Sequence, residues 1–365
     1  MRRGLGLVAA LTLAAPSVRG WLCARGPHRG GVRVTPTRMA SSHTEAINVQ
    51  ELWPHLAGKQ TSASNAAGKV IREAWAKNIN GGVGAGDVSS SSSSPSAWNI
   101  RHSVVDYKDD GGITLQGLYA RPEGDGLPDR LPGVIVAHTA VGPQEDMILW
   151  KLDAIARLGY AAFALDMFGT GRALWDRAES LAARRPITED RSLMQARAMS
   201  AVRTLGQMEG VDQERLAAVG YCFGGMAVLD LARMVPPDAG GDDDNTSALP
   251  RLKAVASLHG ILAPISPGAG CKVPDDAPVG VPRVLVLHAT ADPFVPPEQV
   301  QAMEAEFSRR GANLEVVRYG GEALHAFTRP EKTGQADKDA GLSYCKHADA
   351  DSWRRVVHLL REELS

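Results

Sequence analysis

The chain of 365 residues is 44% hydrophobic and carries a net charge of −1, enough apolar content to bury one large core or two ordinary ones. The charge is uneven, because residues 100–365 hold 29 basic and 37 acidic residues, a net −8. An acidic body without basic runs excludes a nucleic-acid partner, whose phosphates require a concentrated cationic face.

The first 44 residues contain no Asp or Glu but seven arginines, the composition of a targeting leader rather than of a folded segment. "MRRGLGLVAALTLAAPS" reads as a charged start, an apolar run of about a dozen residues and a small-residue cleavage region, too short to span a bilayer. The continuation, "VRGWLCARGPHRGGVRVTPTRMASS", has the acid-free character of an organelle transit peptide. The pair resembles the two-part presequences of algae with complex plastids. The expected destination is therefore a plastid or a mitochondrion, with secretion as the alternative.

Residues 45–99 read as a weakly structured segment. In "NAAGKVIREAWAKN", Ala67, Val70, Ile71, Ala74 and Trp75 fall on one helical stripe, predicting a short amphipathic helix docked on the core rather than a membrane anchor. "NINGGVGAGDVSSSSSSPS" is a flexible linker whose glycines lack the spacing of a dinucleotide loop.

From about residue 100, strands alternate with helices. "RHSVVDYK" and "ITLQGLYARP" predict an opening pair of strands, "GVIVAHT" a buried strand, "MILWKLDAIARLGY" a helix stopped by its glycine, and "AAFALDMFG" a strand. One long helix, "EDRSLMQARAMSAVRTL", is expected after Thr188. There follow the strand "LAAVGY", the helix "GGMAVLDLARMV", the strands "KAVASLHG" and "RVLVLHAT", the helix "PEQVQAMEAEFSRRG", the strand "LEVVRYG" and the helix "DADSWRRVVHLLREEL". Short apolar strands between amphipathic helices imply an α/β fold, a mostly parallel central sheet covered on both faces, as one domain over residues 100–365.

In such sheets the chemistry collects beyond the C-terminal ends of the strands. "GYCFGG", between a strand and a helix, has the form of a nucleophile elbow with Cys222 in the place a serine usually holds. Its glycines let neighbouring backbones approach, and the helix starting at Phe223 favours a thiolate. A thiolate needs a proton partner and an orienter, in the order nucleophile, acid, histidine. Asp292 follows "RVLVLHAT", and His325 follows "LEVVRYG". His325 would move protons while Asp292 fixes its tautomer. The N–H groups of Phe223 and Ala140 would form the oxyanion hole. Taken singly, each has a plainer role: Cys222 a small buried residue, Asp292 a turn former, His325 a polar loop residue. Their order and strand context favour the triad.

The segments "GYCFGG", "DPFVP" and "HAFTRP", with "ARLGYAAFALDMFG" and "SYCKHADADSW", resemble the dienelactone hydrolase family of α/β-hydrolases over residues 100–365. The resemblance implies hydrolysis of a small lactone or activated ester through a thioester, with no metal or organic cofactor. Arg329 falls where bacterial members carry an arginine that grips the substrate carboxylate. Thr139, in "AHTAVG", stands where they carry a glutamate that contacts the nucleophile, so thiol activation would rest on His325 and the helix terminus. His138, His259 and His288 each end a predicted strand and are expected to line the mouth of the site, His138 contacting substrate.

The remaining features are weaker. "GGDDDNTS" has the charge of a calcium site without its ligand spacing, and reads as a solvated loop whose Asn245-Thr246-Ser247 is a glycosylation sequon. Cys271 and Cys345 are expected to be free thiols. The expected molecule is thus a cysteine-dependent hydrolase of a small ester or lactone, a monomer or small homo-oligomer without membrane partners. The rivals are a peptidase or acyltransferase on the same triad and a non-catalytic, redox-responsive binding protein.

Overall fold

The computed structural model describes residues 33–36, 68–74, 98–169, 173–234, 250–265 and 282–365. Most of the leader, the Ser/Gly linker, the Asp-rich loop with its sequon, and Cys271 lie outside these residues.

Strand β4 (Leu131–Ala137) shows why the sheet is buried on both sides. All seven of its residues are buried. Leu131, Ile135 and Ala137 enter one apolar cluster while Val134 and Val136 enter the other, because successive side chains of a strand point to opposite faces. Around β4 lie β1 (Arg33–Pro36), β2 (Asn99–Lys108), β3 (Thr114–Glu123), β5 (Ala161–Ala164), β6 (Val211–Tyr221), β7 (Leu252–Leu258), β8 (Arg283–Ala289) and β9 (Leu314–Tyr319). The order across the sheet is β1-β2-β3-β5-β4-β6-β7-β8-β9. Neighbours from β5 through β9 pair in parallel and the first three strands pair antiparallel.

Helices α3 (Arg191–Gly206), α4 (Phe223–Arg233) and α5 (Pro297–Arg309) feed one cluster. Helices α1 (Asp146–Ala156) and α7 (Lys346–Leu364) feed the other. This is the mixed α/β architecture that the alternating pattern predicts.

The structure departs from the sequence reading in three places. A helix α2 (Arg177–Glu189) precedes α3 where one long helix after Thr188 was expected. Asp190 separates the two. It ends α2 and caps α3, its carboxylate accepting from the N–H groups of Ser192 and Leu193. Residues 68–74 form a helix docked on the core, with Ile71 wholly buried and Arg72 Nη1 2.7 Å from the buried carboxylate of Asp146. Of the expected stripe, Ile71 and Ala74 pack on the core, while Val70 points outward and Gly68 takes an inward place. Finally, Arg33–Pro36, inside the segment read as leader, pairs with β2 as an antiparallel edge strand.

The compact domain therefore reaches upstream of residue 100. Ile71→Ala is expected to lower unfolding free energy by about 2 to 5 kcal/mol, the usual cost of truncating a buried aliphatic residue, as read by urea denaturation. No change would show that the 68–74 helix is not docked.

Candidate active site

Strand β6 ends at Tyr221 and α4 begins at Phe223, so the single residue Cys222 makes the whole turn. Its backbone sits at φ 56°, ψ −114°, a region that L-residues avoid and that persists only where the surroundings enforce it. Three glycines do the enforcing. A Cβ on Gly220 would lie 2.2 Å from the Gly224 carbonyl oxygen, one on Gly224 would lie 2.2 Å from the Ala137 carbonyl oxygen, and one on Gly225 would lie 2.5 Å from Gly260 Cα. The elbow is thus backbone packed directly on backbone, and the spacing of "GYCFGG" follows from it.

Asp292 and His325 stand on the loops after β8 and β9. His325 Nε2 lies 3.0 Å from Cys222 Sγ and its Nδ1 lies 2.7 Å from Asp292 Oδ2. Asp292 Oδ1 also accepts from the N–H of Phe294 at 2.8 Å, which fixes the carboxylate. The histidine loop is held from behind, where Ser343 N–H donates to the His325 carbonyl and Cys345 N–H to that of Phe327. That gives "SYCKHADADSW" a local role.

Burial works against charge on both sulfur and imidazole, and the pair overrides it. The His325 charge and hydrogen bond, followed by the Phe223 N–H and Arg184, bring the Cys222 thiol below its ordinary value. The thiolate and Asp292 in turn push His325 up to about 10. Both shifts favour the thiolate and imidazolium forms of the pair.

The structure gives the three expected substrate contacts partners within the protein. Arg329 is buried, with Nη1 3.2 Å from Glu145 Oε2 and Nε 2.6 Å from Glu331 Oε1. Two carboxylates already engage its charge. Thr139 is buried too, and its hydroxyl donates to Glu145 Oε1 at 2.5 Å. Glu145, six residues beyond Thr139, is itself wholly buried and is the acceptor for that hydroxyl. Burial pushes the Glu145 carboxyl up, opposed by Arg329 and the Thr139 hydrogen bond.

His138 is wholly buried: its Nδ1–H donates to the Thr139 carbonyl at 2.6 Å and its Nε2 accepts from the N–H of Met167 at 3.2 Å. Burial lowers it to about 4, so it is a neutral brace for the oxyanion loop. His259 and His288 are likewise buried rather than at the mouth.

Sequence reasoning missed helix α2 altogether, and α2 bears on this site. Ser180 Oγ donates to the Ala140 carbonyl at 2.7 Å, tying α2 to the loop after β4. One turn on, Arg184 is half-buried, its side chain bonds among the described residues only to Ser180 through Nε, and its charge favours the Cys222 thiolate. Among the described residues it meets no carboxylate, whereas Arg329 meets two. No motif pointed to Arg184; the available signal was the i, i+4 spacing of Ser180 and Arg184 behind the Asp176 cap.

The family profile described as "Dienelactone hydrolase family" matches residues 115–364. The chain belongs to the dienelactone hydrolase family. Membership places it among the α/β-hydrolases that act on carboxylic esters. A solved structure called m3DLH is 32% identical, with 73% of this chain covering 99% of that one at a TM-score of 0.61. A dienelactone hydrolase-like promiscuous phosphotriesterase from metagenomic libraries is 31% identical over the same shares at the same score. An uncharacterized protein of Caenorhabditis elegans is 30% identical over 177 residues, 48% of this chain and 98% of the relative. Among the described residues no cluster of ligating side chains could hold a metal ion, and no helix is long and apolar enough to cross a membrane.

Two outcomes are expected of this dienelactone hydrolase family site. Gly224→Ala, which drives a Cβ into the Ala137 backbone, should abolish the folded elbow, seen as loss of thiol reactivity together with a lowered melting temperature. Alkylation of Cys222 by iodoacetamide at pH 6 should be faster, by about tenfold or more, than in His325→Ala, whose thiol reverts toward its ordinary protonation. Equal rates would remove the ion pair.

Proposed function

We propose that this enzyme hydrolyses a small carboxylic ester or lactone through a thioester on Cys222. The observation that carries the reading is the 3.0 Å contact of His325 Nε2 with Sγ on a strained elbow, continued by the 2.7 Å contact with Asp292. The thiolate attacks the carbonyl carbon, and the displaced electron pair settles on oxygen facing the N–H groups of Phe223 and Ala140. Collapse expels the alkoxide, which takes the proton from His325 Nε2. Neutral His325 next draws a proton from water, and the resulting hydroxide adds to the thioester. Collapse then releases the acid and restores thiolate and imidazolium. Asp292 keeps Nε2 facing the sulfur throughout. Esters suit a thiolate better than amides, because thiolate is expelled in preference to a poor amine leaving group.

The substrate is anionic in this reading, and Arg184 rather than Arg329 receives its charge. A guanidinium beside the nucleophile with no protein carboxylate is free to meet one from solution. The acid-free, arginine-bearing N-terminus supports import into an organelle, a plastid first.

With 4-nitrophenyl acetate, intact mass should show one acetyl group on the parent protein and none on Cys222→Ala. A folded parent that never acquires an adduct would remove the thioester. Arg184→Ala should raise KM for a carboxylate-bearing aryl ester by about tenfold, the worth of one charge-assisted hydrogen bond, and leave a neutral ester unaffected. Equal effects on both esters would remove the anionic subsite.

A further inference from the structure

Beneath the catalytic pair lies a second histidine that the mechanism does not use. His259 follows β7 at φ 37°, one of three described non-glycine residues with positive φ; Cys222 and Ala326, beside His325, are the others. It is wholly buried. Backbone strain of this kind survives where neighbours dictate it, and the neighbours here are the segments that bear the triad.

The His259 N–H donates to the Leu287 carbonyl of β8 at 2.8 Å, and the N–H of Ile261, two residues on, reaches the Cys222 carbonyl at 3.3 Å. The His259 Nε2 lies 2.8 Å from Thr328 Oγ1, on the histidine loop three residues past His325. In the tautomer whose ring N–H donates to Thr328, the Thr328 hydroxyl is left directed at Met147 Sδ at 4.0 Å. The ring also stands edge-on to His325, centroids 5.3 Å apart, and to Phe327 at 5.1 Å. Burial, and then the His325 charge, hold His259 neutral. His259 therefore touches the acid's strand and the histidine loop, and its segment reaches the elbow through Ile261.

The need for such a residue appears when the reaction is followed past its midpoint. In the resting enzyme the thiolate itself attracts the imidazolium. Once sulfur carries an acyl group that attraction is gone, yet His325 must remain above Sγ to take the proton of water. We propose that His259 is a positioning residue for His325 in deacylation, latching the histidine loop through Thr328 while the sulfur is acylated. The inference rests on the thioester reading above.

Pre-steady-state hydrolysis of 4-nitrophenyl acetate by the full chain separates the two halves, the burst reporting acylation and the later steady rate deacylation. His259→Phe fills the space without the donor, and Thr328→Val removes the acceptor with little change of shape. Each should lower the steady rate by about tenfold, one net charge-free hydrogen bond at the reacting geometry, while the burst rate changes by less than about threefold. The double variant should be no slower than either single one, because both remove the same bond. His259→Gln, whose amide can still donate, should recover most of the loss. Equal slowing of burst and steady rate, additive losses, or a Gln variant as slow as Phe would overturn the proposal. Should His259→Phe melt too low to assay, Thr328→Val alone decides by the same split. Absence of any burst or adduct in the parent would instead overturn the thioester reading.

Discussion

The contact on which the molecule turns is made by backbone alone. Gly224, in the first turn of α4, is pressed so closely on the Ala137 carbonyl at the end of β4 that no side chain fits between them, and Gly220 and Gly225 are confined in the same way. This packing holds Cys222 at its strained dihedrals. It also aims the start of α4, with its unpaired N–H groups, at the sulfur. The position of Cys222 and the surroundings of its sulfur thus descend from a single close approach of two chain segments.

Around that contact the protein spends buried polar groups on geometry. Thr139, Glu145, Arg329 and Glu331 form a closed chain of charge behind the loop after β4, and His138 braces the same loop through both ring nitrogens. Buried carboxylates and guanidiniums are tolerable only when each finds a partner, and here the partners also set where Ala140 sits. Helix α2 closes the arrangement from outside through Ser180. Among the described residues Arg184 meets no carboxylate, whereas the more deeply placed Arg329 meets two.

Much of this was legible in the residues. Strands β4 and β5 are unbroken apolar runs, which two-faced burial demands, and Cys222, Asp292 and His325 follow later strands of the parallel sheet in the order that brings loop ends together. Helix α2 was not legible because its apolar positions are sparse and Pro186 sits within it. The pattern therefore reads as a break until Asp190 is seen to end one helix and start another. Glu145 escaped because it accepts from the Thr139 hydroxyl through space, and spacing along the chain does not show that contact. Arg329, His138 and Thr139 were placed at the right loops but assigned to substrate, because spacing along a chain gives neighbourhood without giving exposure.

The pairing of Arg33–Pro36 with β2 makes a four-residue ribbon the cover of the sheet's border. Without it, the outward N–H and C=O groups of β2 from Ser103 to Asp106 would lie open, and an open border is a template on which a second chain can continue the ladder. The Arg72–Asp146 contact, farther along the chain, holds a different segment to the core.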